Sequence, residues 1–163
     1  MNNHKEILEL IRQEKERQKN AKVEIDIESI LRAAENVDDD FFTTTSLTEI
    51  AQEIVESMQN IHIPGEIVDM FSGKLLEYRF VDQIHHLRKS RYIRWIRRDP
   101  DMNGEWKLSG GAILVNVKFS ETGVQLVCKS GPRFMQIRFD NYLIYQKLTS
   151  DEQLILSCYN ATA

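Results

Sequence analysis

The feature that most constrains this chain is a change of period. Up to about His86 the apolar residues recur at helical intervals, and from Ser90 onward they alternate with polar ones in short runs broken by glycine. A chain that changes period once, midway, is an α+β protein whose helices precede an antiparallel sheet. The change falls in Leu87 to Arg98, LRKSRYIRWIRR, where six Lys and Arg side chains surround Tyr92, Ile93, Trp95 and Ile96. That mixture fits either the two faces of a strand or a surface for an anionic partner. Alternation places Ile93 and Trp95 on one face, with Tyr92 and Ile96 on the other.

In the helical half, Asn3 and Glu6 have capping-box spacing ahead of Ile7, Leu8, Leu10 and Ile11, which predicts a helix from about His4 to Lys19. Its apolar content stops at Ile11, so it offers only a short stripe for docking. Ile27, Ile30, Leu31 and Ala34 predict a second amphipathic helix. Asn36 to Thr45 breaks the periodicity and reads as an exposed acidic linker, with Phe41 and Phe42 as candidate protein-contact anchors beside Asp38, Asp39 and Asp40. Ser46 and Glu49 repeat the capping box before Leu47, Ile50, Ala51, Ile54, Val55 and Met58, a clean helical face ending near Asn60. Pro64 suits the first turn of another helix, with Ile67, Val68, Met70 and Phe71. The apolar density of Lys74 to His86 predicts the second arm of a helical hairpin.

Beyond the basic stretch, turn residues delimit five strands: Arg91 to Arg97, Ala112 to Phe119, Val124 to Lys129, Arg133 to Phe139 and Tyr142 to Lys147. One long first loop and three tight turns predict a five-stranded antiparallel SH3-like or Tudor-like small barrel. Thr149 or Ser150 then caps a short C-terminal helix, Asp151 to Tyr159. Gly110 and Gly111 lead into a β-branched run, where a phosphate-binding loop would lead into a helix, so they predict a bulge or tight bend. The expected organisation is a helical extension and acidic linker (1–45), a helical hairpin region (46–86), and a small barrel with its C-terminal helix (87–163).

Charge is unevenly laid out: Met1 to Lys22 carries 6 basic and 4 acidic side chains, Val23 to His86 carries 3 and 14, and Leu87 to Ala163 carries 12 and 7. Such segregation fits surfaces with different partners, or parts of one protein that attract each other. No catalytic, metal or cofactor arrangement stands out. Three successive aspartates point in different directions, whereas oxygen-ligand loops use alternating positions. His85 and His86 lack the i, i+4 spacing of helical metal ligands. Cys128 and Cys158 sit among apolar neighbours and are expected to be reduced thiols of a cytosolic or nuclear compartment. Asp99, Asp101, Glu105, Glu121 and Asp140 all fall in predicted turns. The N-terminal MNNHKEILELIRQEKERQ alternates charge with Ile and Leu where a signal peptide needs an unbroken apolar segment, so neither secretion nor membrane insertion is expected.

The segments RYIRWIRR, KLSGGAILVNV and CKSGPRFMQIRFDNYLIYQKLTSDEQLIL resemble an uncharacterised family of small-barrel proteins in nucleocytoplasmic large DNA viruses, over roughly Leu75 to Leu156. These motifs are structural in character, so no functional residue is carried over. The resemblance implies a viral origin and a place in the virion or in the virus factory of the host cytoplasm. Two non-enzymatic functions follow. One is a structural or interaction protein, a virion-associated or minor capsid component that contacts other virion or scaffold proteins or itself. The other is nucleic-acid binding, with Arg88, Lys89, Arg91, Arg94, Arg97, Arg98, Lys129, Arg133 and Arg138 on phosphates and Tyr92, Trp95 or Phe134 stacking on bases. No small-molecule substrate is expected.

Overall fold

The computed structural model describes residues 3–18, 27–37 and 45–162. In chain order the elements are helices α1 (Asn3–Gln18), α2 (Ile27–Asn36), α3 (Leu47–Gln59) and α4 (Gly65–Lys74), strand β1 (Tyr78–Val81), strands β2 (Tyr92–Arg97), β3 (Ala112–Ser120), β4 (Gly123–Ser130), β5 (Arg133–Arg138) and β6 (Tyr142–Lys147), and helix α5 (Ser150–Thr162). Two single 3₁₀ turns, Ile84–His86 and Phe139–Asn141, precede β2 and β6. The chain forms two compact units, Met1–Ile50 with Leu148–Ala163, and Ala51–Lys147, so the division falls within α3.

The first unit is helical. The narrow stripe of α1 is used: Ile7 and Ile11 are buried while Leu8 stays exposed, and α1 packs against α2 and α5. Ile30, Ala33 and Ala34 of α2 and Ile155, Leu156 and Cys158 of α5 complete its apolar interior. The starts of α3 and α5 are capped at Ser46 and Thr149. The Glu49 N–H donates to the Ser46 hydroxyl at 3.1 Å. At α5 the reciprocal pair forms, with the Glu152 N–H donating to Thr149 Oγ1 at 3.1 Å and the Thr149 N–H to Glu152 Oε1 at 2.8 Å.

The second unit is built on a sheet, and here the expected closed five-stranded barrel is overturned. Six strands pair antiparallel in the order β1-β6-β2-β3-β4-β5, and the sheet stays open, with β1 and β5 at its two ends. The extra strand comes from the stretch expected to be the second arm of a helical hairpin. Helix α4 absorbs Gly73 and Lys74, the Leu75 N–H closes back on the Ser72 carbonyl at 3.1 Å, and Tyr78–Val81 then pairs with β6 from Tyr78↔Lys147 to Val81↔Ile144. A short apolar run does not distinguish helix from strand by density alone. What decides here is that β6 has a side free of β2, whose backbone groups β1 satisfies.

Side chains on one face of the sheet meet one another. Val81, Leu87, Ile93, Ala112, Leu114, Leu126, Cys128, Ile137, Phe139 and Ile144 form one buried cluster, with Trp95 and Tyr142 packed against it. Strand and turn residues alone supply this cluster, so the sheet curls around its own core. The register slips between Leu114 and Asn116, a bulge two or more residues beyond the double glycine where the sequence places one. Gly111 serves a different need. Its φ is +99°, and a Cβ there would stand 2.6 Å from Cε1 of Tyr92, so its bare backbone is what lets the ring lie down.

Candidate interaction surface

Register and alternation assign the residues of the opposite face. Tyr145 and Arg94 are paired, as are Leu143 and Ile96, and all four point away from the core cluster that holds Ile144, Ile93 and Trp95. The faces of Ile93/Trp95 and Tyr92/Ile96 are therefore those that alternation predicts. Part of this opposite face is covered: Ile96, Leu143 and Tyr145 are fully buried, and the Ser57 hydroxyl of α3 meets the Tyr145 phenol at 2.7 Å. Burial holds that phenol above its ordinary range.

Two residues along the strands the covering ends. Tyr78 pairs with Lys147, Tyr92 with Ile113, Ile113 with Lys129, and Lys129 with Phe134. Since Ile93 is paired with Gln146, Lys147 stands beside Tyr92, and one row crosses the whole sheet. Tyr92, Ile113 and Phe134 are 41%, 42% and 64% exposed. The Lys129 ammonium lies 5.3 Å from the centre of the Phe134 ring, within cation–π range. Lys147 makes an exposed ion pair with Glu77 at 3.7 Å.

The basic residues singled out in the sequence do not form one patch. Arg94 is structural: its Nε donates to the Ser109 carbonyl at 2.8 Å and its Nη1 to the Lys74 carbonyl at the end of α4 at 3.4 Å. Arg88 folds back on its own segment, donating from Nη1 to the His85 and Leu87 carbonyls at 2.6 and 3.1 Å. Arg91 lies half-buried ahead of β2, where its carbonyl accepts from the Leu114 N–H, and Lys89 and Arg98 are exposed at the two ends of that strand. Arg97 and Arg133 have the parity of the core face, opposite Tyr142 and Ser130. Arg138 shares the open face but holds the β3–β4 turn through the Thr122 carbonyl. Of the nine, Lys129 alone lies in the exposed aromatic row. Trp95, packed on the core, is withdrawn from stacking, whereas Tyr92 and Phe134 are available. Phe41, Phe42 and the aspartate triplet lie outside the described residues.

Sequence reasoning missed Ile113 and Lys147, and it missed the strand that sets Tyr78, itself buried, at the end of the row. The signal for Tyr78 was the aromatic and β-branched YRFV run, and pairing partners across the sheet carried no local signal at all. Elsewhere the titratable groups have local explanations. Asp101 accepts the Glu105 and Asn103 N–H groups at 2.9 Å each and pairs with Lys107 at 3.2 Å, which holds its carboxyl below the usual range and knits the long loop after β2. Both cysteines are buried and neither is in a disulfide, and burial pushes the Cys128 thiol up to about 11. Among the described residues no three His, Cys, Asp or Glu side chains converge as metal ligands, and no helix is long and apolar enough to cross a membrane. No protein-family model, curated protein or solved structure matches the chain.

Proposed function

We propose that the chain is a non-enzymatic interaction protein, a virion-associated or minor capsid component of a large DNA virus, that holds a macromolecular partner on the open part of its sheet. The observation that carries the interaction reading is the exposure of Tyr92, Ile113 and Val115 on the adjoining strands β2 and β3, with Phe134 exposed on β5 two strands further on. Apolar groups exposed side by side on a rigid sheet mark a surface that a partner covers. The viral setting rests on the resemblance of the β2-to-α5 segments to the small-barrel family.

The test is made on particles. The full chain should be found in gradient-purified virions, and a photo-crosslinking residue at position 113 should give a discrete adduct there. Ile113→Glu should abolish both the adduct and the packaging while leaving the fold intact. A protein absent from particles, or packaged equally well with Ile113→Glu, sinks this reading. A second partner class, nucleic acid, is favoured by a separate observation, the charge of the strands.

A further inference from the structure

The six strands carry eight Lys and Arg residues and no Asp or Glu. Every acidic side chain between β1 and β6 is in a loop or turn. The unit Ala51–Lys147 has 14 basic and 11 acidic residues, a balance of +3 within a chain of net charge −4. Two of the eight strand Lys and Arg residues, Lys129 and Lys147, stand in the exposed row, where ammonium groups are interspersed with apolar and aromatic side chains: Lys147, Tyr92, Ile113, Lys129, Phe134, with Tyr78 buried at the β1 end.

Resting on the interaction reading above, we infer that the partner of this row is a single-stranded nucleic acid, its bases on Tyr92 and Phe134 and its phosphates on Lys129 and Lys147. Stacking needs accessible ring surface, and Tyr92 and Phe134 are 41% and 64% exposed, with the Lys129 ammonium over one side of the Phe134 ring. Tyr92 is backed by the bare Gly111 backbone, and Phe134 lies on the end strand. Three inter-strand steps separate the two rings, about 14 Å at ordinary sheet spacing, so they serve different bases of one extended strand. The ion pair of Lys147 with Glu77 is exposed and exchangeable, so a phosphate can displace the carboxylate. A duplex keeps its bases stacked on one another and offers this face only a backbone. Single-stranded recognition on aromatic-bearing sheets uses the combination present here. An acidic peptide segment would satisfy the lysines, but its carboxylates offer the rings no stacking partner, whereas every nucleotide brings a base and a phosphate together.

The experiment is fluorescence anisotropy of the full chain with labelled oligothymidylate and oligouridylate of about 12 nucleotides. A blunt duplex of the same length and polyglutamate serve as competitors. Single strands should bind, the duplex should compete poorly and polyglutamate hardly at all. Raising salt from about 50 to 200 mM should weaken binding roughly tenfold, the loss that two or three phosphate contacts impose. Phe134→Ala should weaken it by about tenfold or more, and Lys129→Gln should lower the salt slope by about 0.7. Circular dichroism and the denaturation midpoint of both variants should match the parent, because both side chains are exposed. No binding at low salt, equal binding of duplex, or full competition by polyglutamate each overturns the inference. The last would place an acidic protein on the row. If oligonucleotides do not bind but Ile113→Glu still loses packaging, the interaction reading stands without nucleic acid. If oligonucleotides bind and packaging is unaffected, it is the virion reading that fails.

Discussion

Tyr145 and Tyr92 lie on the same face of the same sheet, on adjacent strands and two positions apart in register. One is fully buried, with its hydroxyl on Ser57 and its ring 5.6 Å from the Phe80 ring; the other is 41% exposed, with its ring against Gly111. Residue type and parity are the same, so neither explains the difference. What separates them is whether a helix arrives above. Where α3 brings Ser57, the tyrosine becomes an anchor of the fold; where no described helix covers it, it becomes a surface. The teaching is that the strands alone do not decide which half of the face works.

The comparison is tested most severely by truncation. Tyr145→Ala should destabilise the protein by about 3–5 kcal/mol, the cost of emptying a large core site. Tyr92→Ala should cost about 1 kcal/mol or less, because its contacts are partial and water already reaches it. Urea denaturation of the two variants reads both. Similar losses for the two would break the distinction between anchor and surface.

The next effect compares the two faces through neighbours on β4. Cys128 is fully buried in the core cluster, and Lys129 lies exposed beside Phe134. Burial raises the Cys128 thiol from 9.0 to about 11. A group whose folded pKa lies above its unfolded value stabilises fully below the unfolded value, and loses that contribution as pH rises through the folded one. The window is therefore about pH 9 to 11, and two pKa units set an upper bound of roughly 3 kcal/mol. Stability should fall more steeply over this window in the parent than in Cys128→Ala, measured by denaturation at pH 8 and 10.5. Parallel profiles would show that the thiol is not held in the core as described. Consistently, Cys128 should resist alkylation at pH 8 until the protein is unfolded.

Much of the secondary structure was legible because local chemistry wrote it. Ser46 with Glu49 announces one helix start and Thr149 or Ser150 another, and β6 begins after Asp140–Asn141 as the turn signal requires. Two things were not legible. YRFV sits in a run whose apolar density suits a helix, and its strand state depends on β6, more than sixty residues away in sequence. Closure was misjudged for the same reason: five strands with tight turns fit a barrel, but a sixth on the β6 edge gives the sheet a different end. The candidate surface follows this pattern. Charge pointed to Leu87–Arg98, yet Arg88 and Arg94 are spent on backbone carbonyls, and the row that replaces them is assembled by register between strands.

A substitution with a smaller effect on stability than emptying the Tyr145 site isolates the open half of the face. Gly111→Ala places a methyl group 2.6 Å from Cε1 of Tyr92 and forces an L-residue to φ +99°. The backbone term costs about 1–2 kcal/mol. The contact itself is relieved cheaply, because it falls on the edge of an exposed ring that can swing away. Stability should therefore drop by little more than the backbone term, while Tyr92 leaves the row. Single-strand binding should weaken as much as in Tyr92→Ala, and the double variant should weaken no further, since both remove the same stacking group. Additive losses would mean that Gly111 contributes through its backbone, by direct approach to the ligand, and not by seating the tyrosine.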